Sequence, residues 1–204
     1  MLKVGLTGSI AVGKSYVTSL FEELGCHVLD ADQTAREVVQ PGTDGLRAVV
    51  EALGTEVLND DGTLNRSRLA ELIFADARQR ERLNSILHPF IISRQDEVMH
   101  EWEAGDPDGI GIIDAALMIE SGGYKQFDKL IVVHCRPEVQ LERLMLRTGL
   151  ALEQARQRIA SQMSQEEKQK YADYLIDSSD GFDITRARVV QVYKQLRQVA
   201  QKQR

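Results

Sequence analysis

One octapeptide near the start of the sequence restricts the fold more than any other segment. Residues Gly8–Ser15, GSIAVGKS, match the pattern G-x-x-x-x-G-K-[ST] at every fixed position. The octapeptide follows Leu2–Thr7, which alternates as a β-strand does, and it precedes a helix-spaced run that ends at Gly25. That run consists of Val17, Leu20, Phe21 and Leu24. The sequence therefore predicts a strand, a tight glycine-rich loop and a helix, in that order.

The residue types of this loop suit a nucleotide polyphosphate. Gly8 and Gly13 permit a tight curl whose N–H groups point inward, and the helix that follows presents unpaired donors and its positive dipole end. We predict that Lys14 spans the β- and γ-phosphates and that the Ser15 hydroxyl ligates Mg²⁺. The alternative, a chance turn with a solvated lysine and serine, is disfavoured by the flanking strand and helix. The residues predicted to bind ATP here are Gly8, Ala11, Val12, Gly13, Lys14, Ser15 and Tyr16.

Alternating strand and helix patterns beyond the loop predict the fold class. Short apolar runs typical of buried strands occur at Val28-Leu29, Ile110–Ile113, Leu130–Val133 and Tyr174–Ile176. The last helical pattern is amphipathic, with Val189, Val192, Tyr193, Leu196 and Val199 on one face. Because strands that alternate with helices form parallel sheets, we predict an α/β fold: a P-loop nucleotide-binding core with a parallel sheet flanked by helices.

Two segments interrupt this alternation. From Gly42 to about Trp102 the apolar residues are helix-spaced, which predicts an all-helical insertion, placed at residues 41–107. Residues 137–170 predict a pair of charged helices broken near Gly149, which together form a lid. The nucleotide-binding core is then predicted at 1–40, 108–136 and 171–204.

Composition narrows the class of partner. Of 204 residues, 43% are hydrophobic and 27% are charged, which is typical of a globular domain. The 25 basic and 31 acidic residues give a net charge of −6, which repels nucleic acid, so we predict no nucleic-acid partner. We find no signal-peptide pattern at the start and no apolar run of membrane-spanning length, so we expect a cytoplasmic protein without a membrane partner. No oligomeric state is predicted.

Carboxylates follow two of the predicted strands, at the edge where open α/β folds bind ligands. Asp114 follows Ile110–Ile113, where P-loop proteins place a Mg²⁺ ligand, although an aspartate at a strand exit is equally common without that role. Asp30 and Asp32 follow the second strand, and one of them could accept the proton of an attacking hydroxyl. The alternative is helix capping, by Asp30 in a capping box with Gln33 or by Asp32 itself. Asp32 is the preferred candidate for chemistry.

A cluster of arginines lies in one short stretch of this acidic chain. Its members are Arg136, Arg143, Arg147, Arg156 and Arg158. Arg143 and Arg147 are four residues apart and therefore share a helix face. Arginine binds phosphate oxygens in a bidentate manner, and a closing segment would exclude water from ATP, so the group predicts a lid in which Arg143 and Arg147 bind ATP. The alternative for any single arginine is a solvated pair with Glu138, Glu142 or Glu153.

The histidines and cysteines give little indication of a metal site. His88 precedes Pro89, which is predicted to end one helix and begin the next. Taken alone, His88 is more typical of a hydrogen-bonded structural residue than of a catalyst. Metal-type spacing is also lacking at His27, His100, His134, Cys26 and Cys135. Both cysteines are predicted to be reduced and buried.

Several short motifs, taken together and in order, resemble the dephospho-CoA kinases. They span nearly the whole chain and are Gly8–Ser15, Asp30–Asp32, Asp61-Gly62, Leu87–Pro89, Leu117–Glu120, Arg158–Gln162 and Ala172–Tyr174. The resemblance implies an enzyme that uses Mg²⁺ and ATP to phosphorylate the ribose 3′-hydroxyl of dephospho-CoA. It also implies a P-loop core, a helical CoA-binding domain and a lid.

The resemblance assigns roles to particular residues. It makes Asp32 the catalytic base, and with Lys14 and Arg147 this residue forms the predicted catalytic set. His88 and Pro89 fall in the part that is implied to bind the acceptor, together with Asp32. Ser15 and Asp114 are the predicted metal ligands.

Three positions depart from the usual family pattern, and two rival functions remain to be weighed. Ala116 stands where proline is usual, Tyr16 where threonine is usual, and Ser178 where asparagine is usual. A nucleoside or nucleoside-monophosphate kinase would share the loop and the lid, but the large insertion favours a bulkier acceptor. A nucleotide-dependent switch is the rival from another class, and the sequence contains no N-K-x-D guanine signature.

Overall fold

The computed structural model of the chain describes residues 1–75 and 77–202. It divides into two compact units. The sheet unit consists of Met1–Leu29 and the chain from Trp102 onward, and the helical unit consists of Asp30–Glu101. The helical unit begins before residue 41, the predicted start of the insertion, because Val38 and Val39 pack into its core.

A five-stranded sheet forms the centre of the sheet unit. Its strands are β1 (Leu2–Thr7), β2 (His27–Asp30), β3 (Ile110–Asp114), β4 (Lys129–His134) and β5 (Tyr174–Asp177). Their order across the sheet is β2-β3-β1-β4-β5. β1 pairs in parallel with β3 and β4, and β4 pairs in parallel with β5, so the predicted parallel sheet is confirmed. In this register Leu6 lies opposite Asp114, which brings the end of β3 beside the end of β1.

Helices make up most of the remaining chain. In order they are α1 (Lys14–Glu23), α2 (Ala31–Glu37), α3 (Asp44–Leu53), α4 (Arg66–Ala75), α5 (Ala77–Gly105), α6 (Pro137–Thr148), α7 (Leu152–Ala160), α8 (Gln165–Gln169) and α9 (Phe182–Lys202). Short 3-10 turns occur at Thr55–Val57 and Gly123–Gln126. Among the described residues, none of these helices is long and apolar enough to cross a membrane.

The core of the sheet unit lies between the strands and two helices. Phe21 of α1 and Leu196 of α9 are fully buried against strand residues such as Ile112. Both cysteines, Cys26 and Cys135, belong to this core, and neither forms a disulfide. Burial of these apolar side chains between sheet and helices is the main stabilising term for a fold of this kind.

The helical unit has a separate apolar core. Its buried members are Val38, Val39, Leu46, Val49, Val57, Leu64, Leu69 and Leu83. The Thr43 hydroxyl caps α3 by accepting from the backbone N–H of Leu46 at 3.2 Å. This part of the sequence shows no strand-like alternation, and the unit that it forms is almost entirely helical.

Pro89 lies inside α5 rather than at a helix boundary. The prediction that His88-Pro89 ends one helix and begins another is therefore wrong. A proline cannot donate to the carbonyl of Ser85, and its ring crowds that turn, at a cost of about 3 kcal/mol in a helix interior. The helix continues because the turns on both sides bury apolar side chains, including Leu83 and Phe90, in the helical core.

The predicted lid segment, 137–170, contains three helices rather than two. Gly149 ends α6 with a φ of 70°, in the left-handed region typical of helix termini. α6 packs within the sheet unit, where its residues Gln140 and Leu144 are buried. The arginines predicted to act in a lid, Arg143 and Arg147, therefore lie on α6, whose other face packs into the sheet unit.

Candidate active site

The glycine-rich loop between β1 and α1 has an unusual backbone. Gly13 has a φ of 85° and Ala11 a φ of 62°, both in the left-handed region that glycine tolerates best. A Cβ at Gly8 would lie 2.7 Å from the carbonyl oxygen of Val133. A side chain at position 8 would therefore push the loop away from β4.

Side chains from the segment after β4 hold the first half of this loop. The backbone N–H of Ile10 donates to Oε1 of Gln162 at 2.8 Å. The carbonyl of Ile10 accepts from Nε2 of Gln140, also at 2.8 Å. The Ser9 hydroxyl donates to the Met163 carbonyl at 3.4 Å. The loop is thus fixed by contacts outside its own strand and helix.

The side chains with the predicted phosphate and metal roles lie at the start of α1. The Lys14 ammonium contacts the carboxylate of Asp114, the last residue of β3. The Thr18 hydroxyl donates to the other oxygen of that carboxylate at 2.9 Å. Asp114 is 5% exposed, whereas Ser15 is exposed. The predicted phosphate-binding lysine and the predicted metal-binding aspartate are therefore neighbours.

The donor set at this point fits Mg²⁺. The Ser15 hydroxyl and the Asp114 carboxylate are oxygen ligands of the kind that Mg²⁺ prefers, and this ion usually takes one or two protein ligands and completes its shell with water and phosphate oxygens. Within residues 1–75 and 77–202, no group of three or more His, Cys, Asp or Glu residues could hold a metal ion by itself. With these two protein ligands, a Mg²⁺ ion would complete its shell with water and phosphate oxygens.

A pocket of ≈ 150 Å³ adjoins the loop at Gly13. The rings of Tyr16 and Phe182, which line it, meet edge to face with 4.8 Å between centroids. The Arg143 guanidinium donates to the Ser178 hydroxyl at 2.9 Å and to the Ser178 carbonyl at 2.8 Å. Aromatic rings and arginine planes both stack on flat bases, so the pocket suits the base of a nucleotide whose phosphates lie in the loop.

The loop that follows β5 is joined to the glycine-rich loop. The Ser178 hydroxyl donates to the Val12 carbonyl at 2.6 Å. Asp180 pairs with Arg136 at 2.7 Å and with Arg188 at 2.8 Å. Hydrogen bonds from Arg136 first and Arg188 second hold the pKa of the Asp180 carboxyl below its ordinary value. The loop after β5 is thus joined by polar contacts to the glycine-rich loop, to Arg136 and to Arg188 of α9.

The predicted arginine cluster divides into members with and without partners. Arg136 pairs with Glu138, and Arg156 pairs with Glu153, each at 3.3 Å, as the solvated alternative predicts. Arg147 is exposed on α6 and forms no hydrogen bond or ion pair with the residues that the structure describes. Its guanidinium is therefore available to a ligand.

In the helical unit, the two aspartates after β2 differ in their contacts. Asp30 is the N-cap of α2, and its Oδ1 accepts from the backbone N–H of Asp32 at 2.8 Å and of Gln33 at 3.3 Å. Asp32 lies in the first turn, is exposed, and its carboxylate has no partner among the described residues. Capping is therefore the role of Asp30, and the carboxylate of Asp32 is left for another function.

Comparisons with known proteins identify the family. A family model described as dephospho-CoA kinase matches residues 2–183. A dephospho-CoA kinase of Listeria innocua is 43% identical over 92% of this chain and 93% of its own. A solved structure from Thermus thermophilus has a TM-score of 0.81 at 27% identity and covers 95% of this chain and 96% of its own. A dephospho-CoA kinase from Campylobacter jejuni has a TM-score of 0.73 at 27% identity and covers 96% of this chain and 97% of its own.

The chain belongs to the dephospho-CoA kinase family. The resemblance drawn from its short motifs is thereby confirmed, as is the enzyme class, a kinase that converts dephospho-CoA to CoA. Membership of a kinase family also makes ATP the phosphoryl donor.

The three positions that depart from the usual family pattern all have contacts here. The Tyr16 hydroxyl donates to the Phe182 carbonyl at 3.3 Å. Ser178 bridges Arg143 and the glycine-rich loop, as described above. The Ala116 carbonyl accepts from the Thr7 hydroxyl at 3.2 Å. The side chains of Tyr16 and Ser178 therefore make contacts of their own, whereas the contact at Ala116 is made by its backbone.

His88 and Pro89, the predicted acceptor-binding residues outside the Asp32 region, are exposed on α5. His88 has no hydrogen bond to the part of the chain that the structure describes. The interpretation of His88 as a hydrogen-bonded structural residue therefore has no contact to support it.

Sequence reasoning missed a set of polar residues around the glycine-rich loop and the loop after β3. They are Glu120, Gln140, Gln162, Gln165 and Lys168. Only Gln162 and Glu120 fell in motifs that the family resemblance singled out. The others gave no signal, because an isolated glutamine or lysine in a helical segment is typical of a solvated surface. Gln140, Gln165 and Lys168 are instead buried.

Proposed function

We propose that this chain transfers the γ-phosphoryl group of ATP to the ribose 3′-hydroxyl of dephospho-CoA, with Mg²⁺ as cofactor. The observation that carries the proposal is the arrangement at the start of α1. There the Lys14 ammonium lies against the Asp114 carboxylate, and the exposed Ser15 follows in the chain. A cation, a buried carboxylate and an exposed hydroxyl in one place match the needs of a metal-bound triphosphate.

The proposed nucleotide site extends from the glycine-rich loop to the base pocket. Backbone N–H groups of Gly8, Ala11, Val12 and Gly13 would face the phosphates, with Lys14 between the β- and γ-phosphates. The base would lie in the pocket lined by Tyr16, Arg143 and Ser178. Arg147, which has no partner among the described residues, would neutralise charge on the transferring group.

The proposed metal site uses Ser15 and Asp114. Bound there together with phosphate oxygens, Mg²⁺ would supply positive charge that offsets the negative charge of the triphosphate. The chain's own contribution is to hold these two oxygen ligands in place. The Thr18 hydroxyl, 2.9 Å from Asp114, restricts the rotation of that carboxylate.

Asp32 is the proposed base. A ribose hydroxyl is a weak nucleophile, and a carboxylate can orient it and take its proton late in a loose transition state. Two observations support this role: the Asp32 carboxylate is exposed, and Asp30 already performs the capping that was the alternative. His88 and Pro89 are proposed to contact the acceptor, within an acceptor-binding insertion at 41–107, and the segment 137–170 is proposed to act as a lid.

We further propose that the enzyme acts in the cytoplasm, without nucleic acid or membrane as a partner. The net charge of −6 supports the first of these exclusions. Cell fractionation followed by an activity assay tests the location, and a nucleic-acid mobility assay at low salt tests the absence of nucleic-acid binding.

The central test is an acceptor screen with ATP and Mg²⁺ that measures ADP release and identifies the phosphorylated product by mass spectrometry. We expect ADP release only with dephospho-CoA and a product that matches CoA. The 3′-deoxy analogue of dephospho-CoA is the matched control and should bind without reacting. Chelation of Mg²⁺ should stop the reaction.

Two outcomes would contradict the proposal. ADP release at the same rate with and without dephospho-CoA would indicate a nucleotide switch or hydrolase. Phosphorylation of a nucleoside or nucleoside monophosphate in preference to dephospho-CoA would indicate the nearest rival kinase.

A further inference from the structure

A lysine with no assigned role lies in the interior of the sheet unit. Lys168, in α8, is 0% exposed. Its ammonium donates to the Ala116 carbonyl at 2.8 Å and pairs with the Glu120 carboxylate at 2.8 Å. Lysine is rarely buried so completely, because removing its charge from water is costly unless the charge is paired.

The stability of the fold does not explain this residue type. An ion pair with one buried charge is often no more stabilising than apolar side chains of the same size, because the cost of desolvation offsets the attraction; here the Lys168 side chain is buried and the Glu120 side chain is 24% exposed. An apolar pair would fill the same volume without the cost of desolvating a charge. An apolar pair forms no directional hydrogen bonds. The lysine does, and it therefore holds a particular carbonyl and a particular carboxylate at fixed positions.

The groups that Lys168 holds belong to the loop directly after β3. Asp114 ends this strand, and Ala115 continues it with an N–H that donates to the Leu6 carbonyl at 3.0 Å. The Ala116 carbonyl accepts from Thr7, the last residue of β1, as well as from Lys168. The lysine therefore restrains the exit of the strand that carries the Asp114 carboxylate.

The same short helix is also joined to the glycine-rich loop. Gln165 donates to Gln140 at 2.7 Å, and Gln140 donates to the Ile10 carbonyl at 2.8 Å. Just before α8, Gln162 accepts from the Ile10 N–H. α8 and the turn before it thus contact both sides of the nucleotide site, the loop that would bind phosphate and the loop that follows Asp114.

We propose that Lys168 is a positioning residue for phosphoryl transfer. By fixing the loop after β3 to a helix that also holds the glycine-rich loop, it sets the Asp114 carboxylate relative to Lys14 and Ser15. The proposal rests on the proposed kinase activity. Loss of the Lys168 side chain should lower kcat, because misplaced groups around the transferring phosphoryl group slow the reaction. ATP should still bind to the backbone amides of the glycine-rich loop.

The decisive variant replaces both members of the pair, Lys168→Met together with Glu120→Met. It leaves no buried charge without a partner, so its melting temperature should stay close to that of the wild type or exceed it. We expect kcat to fall by about tenfold or more while the KM for ATP changes by less than about threefold. The matched control is Lys170→Met with Glu167→Met, an exposed ion pair at the C-terminal end of the same helix, and it should retain full activity.

Each outcome decides the proposal. A double variant that is stable and fully active would show that the pair only fills space, and equal losses in the control variant would show that any change in α8 has the same effect. If the double variant fails to fold, Glu120→Gln keeps the size of the side chain and removes its charge. A lower kcat per folded Glu120→Gln molecule then supports the proposal, and an unchanged kcat overturns it. Wild-type turnover of dephospho-CoA is measured first, so failure of the proposed function is seen separately.

Discussion

The sheet unit and the helical unit hold their candidate site residues in different ways. In the sheet unit, partners come from distant parts of the chain: Lys14 contacts Asp114, and Ser178 contacts Val12. In the helical unit, Asp30 makes only local contacts, and Asp32 has no side-chain partner among the described residues. The sheet unit thus holds Lys14 and Asp114 in place before any ligand binds. The helical unit leaves the Asp32 carboxylate without a partner among the described residues.

The difference corresponds to the two chemical tasks that we propose for these residues. A triphosphate carries concentrated charge, and fixed donors stabilise such charge best because they do not have to reorganise during the reaction. A base must instead be free to accept a hydrogen bond and then a proton. Substitution of a fixed group of the sheet unit, such as Lys14, should therefore change both stability and rate, whereas substitution of Asp32 should change the rate alone.

The largest expected effect tests the helical unit. Asp32→Asn keeps the shape of the side chain but cannot accept a proton, so turnover should fall roughly 10² to 10⁴-fold. The melting temperature and ATP binding should stay nearly constant, because Asp32 has no structural contact to lose. The control is Asp30→Asn, which caps about as well as aspartate and should preserve both turnover and stability. Near-normal turnover of Asp32→Asn would remove the catalytic role.

The next effect tests the sheet unit. Lys14→Met removes a fixed cation from the proposed phosphate site, and the loss of one such preorganised group lowers kcat by about 10² to 10³-fold. The variant should also melt at a lower temperature, because the buried Asp114 loses its ion-pair partner. Steady-state kinetics and calorimetry measure the two effects. A large loss of rate with no change in melting temperature would erase the expected contrast between the units.

A smaller effect is expected at Arg147, the sheet-unit residue that resembles Asp32 in having no partner. Arg147→Ala should lower kcat by about 10- to 100-fold, below the full effect of an arginine finger, since neighbouring arginines could share the role. Stability should not change. Arg156→Ala, which breaks only a surface pair with Glu153, is the control. Equal activities of the two variants would assign Arg147 to the solvated face.

The smallest effect concerns acid stability near the base pocket. The folded-state pKa of Asp180 is lowered from its ordinary value of 3.8, chiefly by hydrogen bonds from Arg136 and Arg188. A lowered folded pKa gives stability that is present above the unfolded value and is lost as pH falls through the folded value. Asp180→Asn should therefore melt slightly below the wild type at neutral pH, and the difference should shrink below pH 3.8. A difference that grows on acidification would contradict this assignment.

The sheet unit was well predicted from the sequence because its signals are local. The pattern from Gly8 to Ser15 lies between a strand and a helix that its neighbours specify, and buried strands such as Ile110–Asp114 show continuous apolar runs. The motif-based resemblance to the family was confirmed for the same reason. The roles of the individual site residues all stay predictions, those of Lys14, Ser15 and Asp114 as much as those of Asp32, Arg147 and His88.

What could not be predicted depends on contacts between distant residues. Nothing near Lys168 in the sequence shows that it is buried, since its partner Glu120 lies far away in the chain. The choice between Asp30 and Asp32 as the cap depended on backbone geometry that pattern alone does not give. Pro89 was placed at a boundary because local propensity favours that position, and the burial of neighbouring side chains in α5 overrides it.

Both thiols are buried, so their reactivity depends on local unfolding of the sheet unit. Burial raises the pKa of the Cys26 thiol to about 12 and also raises that of Cys135. Only the thiolate reacts with alkylating reagents, so the folded enzyme should tolerate air and electrophiles that modify exposed cysteines. The rate at which a thiol reagent labels these side chains then depends on how often the sheet unit unfolds locally. Bound ATP should slow that labelling, because it stabilises the folded sheet unit.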